Sequence, residues 1–292
     1  MKNIYITGGL GQDGKILSNI ISKKKFKLFI LSKKLSSIKI PGVKIFKCNL
    51  LNKNKILKIL NRHKPDIILH LAANNPAHSE KGFKKFYLDN LNSSLNIFNA
   101  SYEVNKNINF IFSSSVQIFK KKIGFVNENS DIAKTSPYTK FRIKFDDILS
   151  KKKINYTNII LFNHDSKFRN KKFLFPRLLK SLKNNNLSFL KEIVKNDICG
   201  DFSHAEDICK GIYKIILSKK KIKRIILSSG KSTSVNEIIK HVIKKNKINI
   251  KLKVKSKKKN CLKGNNSYAK KIINYKPKKN IFIAADEIYK SL

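Results

Sequence analysis

The stretch Thr7-Gly8-Gly9-Leu10-Gly11-Gln12-Asp13-Gly14 constrains this chain more than any other. It follows a short β-rich run, Asn3–Thr7. It precedes Ile16, Leu17, Ile20 and Ile21, which fall on one face of a helix. The glycines are spaced G-x-x-G-x-x-G. The first permits a tight turn, the second lets the backbone approach a pyrophosphate, and the third lets helix and strand pack closely. The free N–H groups at the helix start then face the phosphates. Strand, glycine turn and helix in that order predict a dinucleotide-binding βα unit.

Further β-rich runs fall at Lys27–Leu31, Val43–Lys47, Asp66–Leu71, Asn109–Ser113 and Tyr156–Leu161. Amphipathic stretches separate them, such as the face made by Ile56, Leu57 and Leu60. Alternating strands and helices predict an α/β fold, a Rossmann-type doubly wound parallel sheet covered on both sides. Beyond about residue 165 the pattern is less regular, with helices expected near His204–Leu217, Val235–Lys244 and Ala284–Lys290. The expected division is a dinucleotide-binding domain over 1–165 and a smaller C-terminal substrate-binding lobe over 166–292, interleaved with the first.

The formal charge of +46 raises the question of a nucleic-acid partner. The excess is almost all lysine, with only five arginines, and it lies in short runs such as Lys23–Lys25, Lys120–Lys122, Lys151–Lys153, Lys219–Lys221 and Lys257–Lys259. Nucleic-acid readers concentrate basic residues on one face. Dispersed lysines read instead as solvated surface, so no specific nucleic-acid partner is expected. No apolar run reaches the roughly 18 residues of a membrane span, and no signal peptide fits ahead of the first strand. The four cysteines, Cys48, Cys199, Cys209 and Cys261, have no metal-type spacing. They read as free thiols of a reducing, cytoplasmic compartment. No metal is expected.

The end of the second strand selects the cofactor. An acid there would bind the ribose diol of NAD. Here the chain reads Leu31-Ser32-Lys33-Lys34, which suits a ribose 2′-phosphate and favours NADP over NAD. The strand Asn109–Ser113 leads into Ser114 and Ser115, and further on comes Ser136-Pro137-Tyr138-Thr139-Lys140-Phe141-Arg142. Ser136 suits an N-cap and Pro137 the first helical position. Tyr138 and Arg142 then share a helix face. A cation beside a phenol favours the phenolate. A phenolate can take a proton from a sugar hydroxyl while hydride leaves for a nicotinamide, and Ser115 could hydrogen-bond the same oxygen.

These motifs together resemble the extended short-chain dehydrogenases, and among them most closely the GDP-mannose 4,6-dehydratase family. The loop Thr7 to Gly14 is similar to the family's cofactor loop. Lys64-Pro65-Asp66 with His70-Leu71-Ala72-Ala73 resembles its fourth strand, whose small residues line the cofactor. Asn90 to Asn96 resembles its N-V-x-G-T-x-N helix. Leu161-Phe162-Asn163-His164-Asp165-Ser166 resembles the L-F-N-H-E-S segment typical of the dehydratases, followed by Arg169. Asp201 to Asp207 and Gly264 to Pro277 resemble its D-W-x-H-x-x-D and closing motifs. The resemblance implies cofactor contacts from Thr7, Gly8, Gly9, Leu10, Gly11, Gln12, Asp13, Gly14, Ser32, Lys33, Asn49, Leu50, Leu71, Ala72, Ala73, Tyr138, Arg142, His164 and Arg169. It implies catalytic positions at Ser115, Gln117, Tyr138 and Arg142, and substrate contacts at Ser115, Asn163 and Lys255. A nucleotide sugar is the implied substrate, and a homo-oligomer the implied assembly.

Several positions depart from the family. The threonine–spacer–glutamate of its catalytic strand is Ser115-Val116-Gln117 here. The glutamate removes the sugar's 5-proton, and glutamine offers no base for that step. Arg142 replaces a lysine, and a planar fork is not a point charge. Gly200 stands for an arginine, Asn49 for an aspartate, and Lys255-Ser256-Lys257-Lys258 for an Arg-Pro-x-Glu stretch. The reading is therefore an NADP-dependent nucleotide-sugar 4,6-dehydratase acting on GDP-mannose, with Glu128 and Asp165 as substitute acids. An epimerase or reductase that needs Tyr138 and Ser115 but no glutamate is the alternative, as is an impaired homologue.

Overall fold

The computed structural model describes residues 1–22, 26–35, 40–74, 82–152, 154–255 and 260–292. The lysine runs 23–25 and 257–259, with Lys153, lie outside the described residues, as does most of the stretch 255–258. In chain order the first elements are β1 (Lys2–Thr7), α1 (Gln12–Ile21), β2 (Phe26–Ser32), β3 (Val43–Lys47), α2 (Lys53–Arg62), β4 (Ile67–His70), α3 (Phe83–Val104) and β5 (Asn109–Ser115). They are followed by β6 (Gly124–Val126), α4 (Pro137–Ser150), β7 (Asn155–Leu161), β8 (Asn163–Asp165), α5 (Leu174–Lys183), α6 (Leu187–Asn196), β9 (Cys199–Gly200) and β10 (Phe202–His204). The last are α7 (Ala205–Leu217), β11 (Arg224–Leu227), β12 (Thr233–Ser234), α8 (Val235–Lys245), β13 (Leu262–Gly264), α9 (Ser267–Ile273) and α10 (Ile281–Ser291).

The main sheet has seven strands in the order β11-β7-β5-β4-β1-β2-β3. Every pairing from β3 across to β5 is parallel. Burial explains the strand sequences. Central β1 and β4 are covered on both faces, so Ile4-Tyr5-Ile6 and Ile67-Ile68-Leu69 run without polar interruption. Edge strand β3 exposes Lys44 and Lys47, and its other residues are only partly buried. Strand order reverses between β1 and β4, and the glycine loop leaves the carboxyl end of β1 at that switch point, where open α/β sheets bind ligands.

The chain divides into two compact units, each drawn from several segments. The first comprises residues 1–118, 132–160 and 212–225. Its core joins Tyr5, Phe29, Ile56, Leu60, Phe98, Phe110, Phe112, Phe141 and Phe145. Tyr5 and Phe29 stack at 4.6 Å, and Phe145 meets Phe112 edge-on at 5.0 Å. The second unit comprises residues 119–131, 161–211 and 226–292. Its core is Phe175, Leu178, Leu179 and Leu182 of α5, Leu190 and Ile193 of α6, Val235, Ile238, Ile239 and Val242 of α8, and Ile281, Ala284 and Ile288 of α10.

Asp201 organises a polar knot inside the second unit. Its carboxylate accepts from Ser229 N at 2.8 Å, Ser229 Oγ at 2.6 Å, Gly230 N at 2.9 Å and Gly264 N at 3.1 Å. Burial pushes its acidity downward, raising the pKa, while these donors oppose the shift. The expectation of four free thiols is corrected here. Cys199 and Cys261 are bonded through their sulfurs across 62 residues of sequence, while Cys48 and Cys209 are buried and lie outside any disulfide. Spacing along the chain carried no sign of the pair, because tertiary folding alone brings β9 beside the start of β13. Half of the cysteines are therefore not evidence for a reducing compartment. Among the described residues no helix is long and apolar enough to cross a membrane, and no group of acids, histidines and cysteines could hold a metal ion.

Candidate active site

The glycine loop is tightly built. Gly11 N–H donates to Gly8 O at 2.9 Å, closing the turn, and Gly8 sits at φ +73°, where a side chain would be strained. A Cβ on Gly14 would lie 2.3 Å from the Gly9 Cα. The third glycine is thus required for α1 to rest on the strand end. A Cβ on Gly11 would meet only Gly8 O, at 3.2 Å, so its face of the loop is open. Helix α1 starts at Gly11 without a side-chain cap. Its first N–H groups are the kind that cradle a phosphate.

A pocket opens beside this loop, lined by Gly8, Leu31, Ser32, Lys33, Cys48, Leu50, Ala72, Ala73, Asn74, Asn90 and Ser93. Gly8, Ser32, Lys33, Leu50, Ala72 and Ala73 are among the residues expected from sequence. Leu31, Cys48, Asn74, Asn90 and Ser93 are not among them. Cys48 directly follows β3 at the carboxyl edge, which is the signal that would have found it. Asn74 N–H donates to Asn90 Oδ1 at 2.7 Å, so a residue of α3 fixes the wall that follows β4. None of the lining residues is acidic. The remaining loop and strand-end positions sit alongside: Gln12 Nε2 donates to Asp13 Oδ1 at 3.1 Å, Asn49 Oδ1 accepts from Leu51 N at 3.3 Å, and Leu71 N donates to Thr7 O at 3.2 Å.

Beneath the loop lies a buried polar chain. His70 Nδ1 is 2.7 Å from Thr7 Oγ1 and its Nε2 is 2.9 Å from Ser94 Oγ. The Ser94 hydroxyl already donates to Asn90 O at 2.8 Å, so it accepts from Nε2–H. Nδ1 is then the bare nitrogen and accepts from Thr7. Burial, with Arg142 adding to it, pushes the His70 pKa down to about 3, so one neutral tautomer serves at working pH.

Helix α4 begins as its sequence predicts. Ser136 is the N-cap, Pro137 opens the helix, and Ser136 and Thr139 form a reciprocal cap. Tyr138 is half-buried one residue into the helix, and Arg142 Nη2 donates to its phenol oxygen at 3.3 Å. The other guanidinium nitrogen, Nη1, donates to Ser113 O on β5. The arginine fork thus ties α4 to β5 with one arm and holds the Tyr138 phenol with the other. Ser115 ends β5, and its Oγ accepts from Gln117 N at 3.3 Å. Gln117 itself is exposed in the turn after the strand.

Four expected site residues belong to the second unit. Asn163 is exposed, and His164 is buried with Nδ1 2.6 Å from Phe162 O. Arg169 lies over the Phe173 ring at 3.7 Å and pairs with Asp165 at 3.3 Å. Lys255 has an exposed side chain, and its carbonyl accepts from Asn236 Nδ2 at 2.7 Å. Of the acids considered as substitutes for the missing glutamate, Asp165 is held by Arg169, and Glu128 Oε1 accepts from Ile226 N at 2.9 Å.

A glycine cradle, a switch-point pocket and a Tyr–Arg pair on a capped helix next to a serine strand end form one recognisable pattern. The model of the family described as GDP-mannose 4,6 dehydratase matches residues 5–287. The chain belongs to that family. Its members are pyridine-nucleotide-dependent enzymes acting on nucleotide sugars, dehydratases and epimerases among them. The chain is 23% identical to a UDP-glucose 4-epimerase of Mycoplasma genitalium, over 86% of this chain and 84% of that protein. It is 22% identical to a GDP-mannose 4,6 dehydratase of Drosophila melanogaster, over 83% of this chain and 68% of that one. Among solved structures, the UDP-glucuronic acid 4-epimerase of Bacillus cereus in complex with NAD shares the fold with a TM-score of 0.82, at 18% identity and over 99% and 98% of the two chains.

Proposed function

We propose that this member of the family interconverts nucleotide sugars by reversible oxidation at carbon 4, as a 4-epimerase does, without loss of water. The observation that carries this reading is the glutamine at position 117. Dehydration needs a base to remove the proton on carbon 5. The Gln117 amide has no such basicity, and Glu128 and Asp165 are already engaged with Ile226 N–H and Arg169. Oxidation at carbon 4 needs only the groups that are present. Tyr138 takes the proton of the 4-hydroxyl, Arg142 steadies the phenol oxygen, and Ser115 holds the sugar oxygen in line. A nicotinamide dinucleotide held at the glycine loop would supply a reversible hydride acceptor for carbon 4. Tyr138 holds the proton meanwhile and returns it to the oxygen on carbon 4, so that either face of that carbon can be reduced.

A second reading, conversion of GDP-mannose to its 4-keto-6-deoxy product, is favoured by the family model and by the segment Leu161–Ser166. Purified protein incubated with cofactor and UDP-glucose, UDP-glucuronic acid or GDP-mannose separates the two. The expected product has unchanged mass and inverted carbon 4 by NMR. A product lighter by one water overturns this proposal and supports the dehydratase. No turnover of any sugar by the parent, with 4-keto product appearing only after Gln117→Glu, marks an impaired dehydratase.

We further propose NADP as the preferred cofactor. Lys33 is exposed at the pocket edge, Ser32 lies beside it, and no acid lines the pocket to claim a ribose diol. NADP is expected to bind about tenfold more tightly than NAD, the worth of one charge-assisted hydrogen bond. Lys33→Glu should remove that preference. Calorimetric titration with both dinucleotides checks it, and equal or tighter NAD binding by the parent refutes it.

A further inference from the structure

The bonded pair Cys199 and Cys261 has its Cα atoms 6.0 Å apart, an ordinary disulfide span. Cys199 opens β9, which pairs with β12, and Cys261 immediately precedes β13, which pairs with β6. The bond therefore joins one two-stranded ladder to another. A second tie runs beside it: Asp201, just after β9, accepts from Gly264 N–H at the end of β13. One tie is covalent and depends on redox state, and the other is a hydrogen bond that does not. Cys199 is only partly buried and is the more open member of the bonded pair, whereas Cys261, Cys48 and Cys209 are buried. Both bonded cysteines and everything they join belong to the second unit, and the glycine loop and its pocket belong to the first.

We infer that Cys199–Cys261 is a redox-sensitive staple, which firms the second unit and its hold on the nucleotide sugar while leaving dinucleotide binding untouched. The part concerning the sugar rests on the function proposed above and on the second unit serving as the substrate-binding lobe that the sequence predicts. Closure proceeds by thiol–disulfide exchange with a low-molecular-weight disulfide such as oxidised glutathione. The Cys199 thiolate attacks one sulfur of that disulfide, forming a mixed disulfide and expelling one small thiolate. The Cys261 thiolate then attacks the Cys199 sulfur and expels the second. Two protein thiols are oxidised, one small disulfide is reduced to two thiols, and the two protons lost by the cysteines end on the products. Reduction is the reverse.

The test uses the full chain, equilibrated with oxidised glutathione or with a phosphine reductant. Alkylation after denaturation is expected to label two thiols in the oxidised protein and four in the reduced one. A peptide map without reductant should join the peptides that carry Cys199 and Cys261. Unfolding temperature should fall on the order of 10 °C on reduction. KM for the nucleotide sugar should rise about fivefold, with kcat and dinucleotide affinity unchanged. Cys199→Ser and Cys261→Ser should match the reduced parent and ignore the redox buffer. Four labelled thiols after oxidation overturn the staple. A lower unfolding temperature with unchanged KM overturns its effect on the sugar. Absence of turnover in both states, with the thiol and melting differences intact, counts against the proposed function and leaves the staple standing.

Discussion

Tyr138→Phe is expected to lower turnover by about 10²–10⁴-fold, the usual cost of losing a positioned general base. The substitution removes one oxygen and little else. The ring keeps its edge-on packing with Phe141, at 5.4 Å between centroids. The helix cap at Ser136 and Thr139 is untouched, and Arg142 remains anchored by its bond to Ser113 O. Unfolding temperature and dinucleotide affinity should therefore match the parent, while carbon-4 oxidation nearly stops. A variant within tenfold of parental turnover would show that another group takes the proton.

Gly14→Ala should be the most damaging change of a single methyl group. Its Cβ would stand 2.3 Å from the Gly9 Cα and 2.4 Å from the Gly9 carbonyl carbon and oxygen. Those are backbone atoms and cannot rotate away, so α1 must lift from the end of β1. Overpacking of this kind costs about 1–3 kcal/mol, and the displaced helix no longer aims its N–H groups at the pyrophosphate. Dinucleotide binding should become undetectable by calorimetry, with a lowered unfolding temperature. Gly11→Ala is the control. Its Cβ meets only Gly8 O, at 3.2 Å, so it should weaken binding while leaving the unfolding temperature close to the parent's. Equal melting losses in the two variants would contradict this assignment of roles.

The parts of this fold that repeat a local rule were legible in the sequence. The strands of the first unit are apolar runs set between amphipathic helices, and Ser136-Pro137 marks the start of α4 by cap chemistry that needs no tertiary partner. The glycine loop was equally plain, because its spacing reflects a tight turn at Gly8, open backbone at Gly11 and close helix–strand packing at Gly14. What stayed hidden depends on distant contacts. Strand β11 is only Arg224–Leu227, too short to show a period, yet it is the seventh strand of the sheet. Cys199 and Cys261 gave no sign of pairing. The fork of Arg142 read as a charge beside a phenol, whereas its second role, grasping Ser113 O, belongs to the packing of α4 on β5.

The sheet order carries a consequence for how the protein is made. Strand β7 ends at Leu161, but its outer neighbour β11 begins only at Arg224. During synthesis the ribosome must deliver α5, α6 and α7 before the strand that covers this edge exists. Until then β7 presents unpaired N–H and C=O groups, the kind of edge on which nascent chains pair with one another. Ribosome-bound chains halted between residues 161 and 224 should thus be the stage of greatest dependence on chaperones.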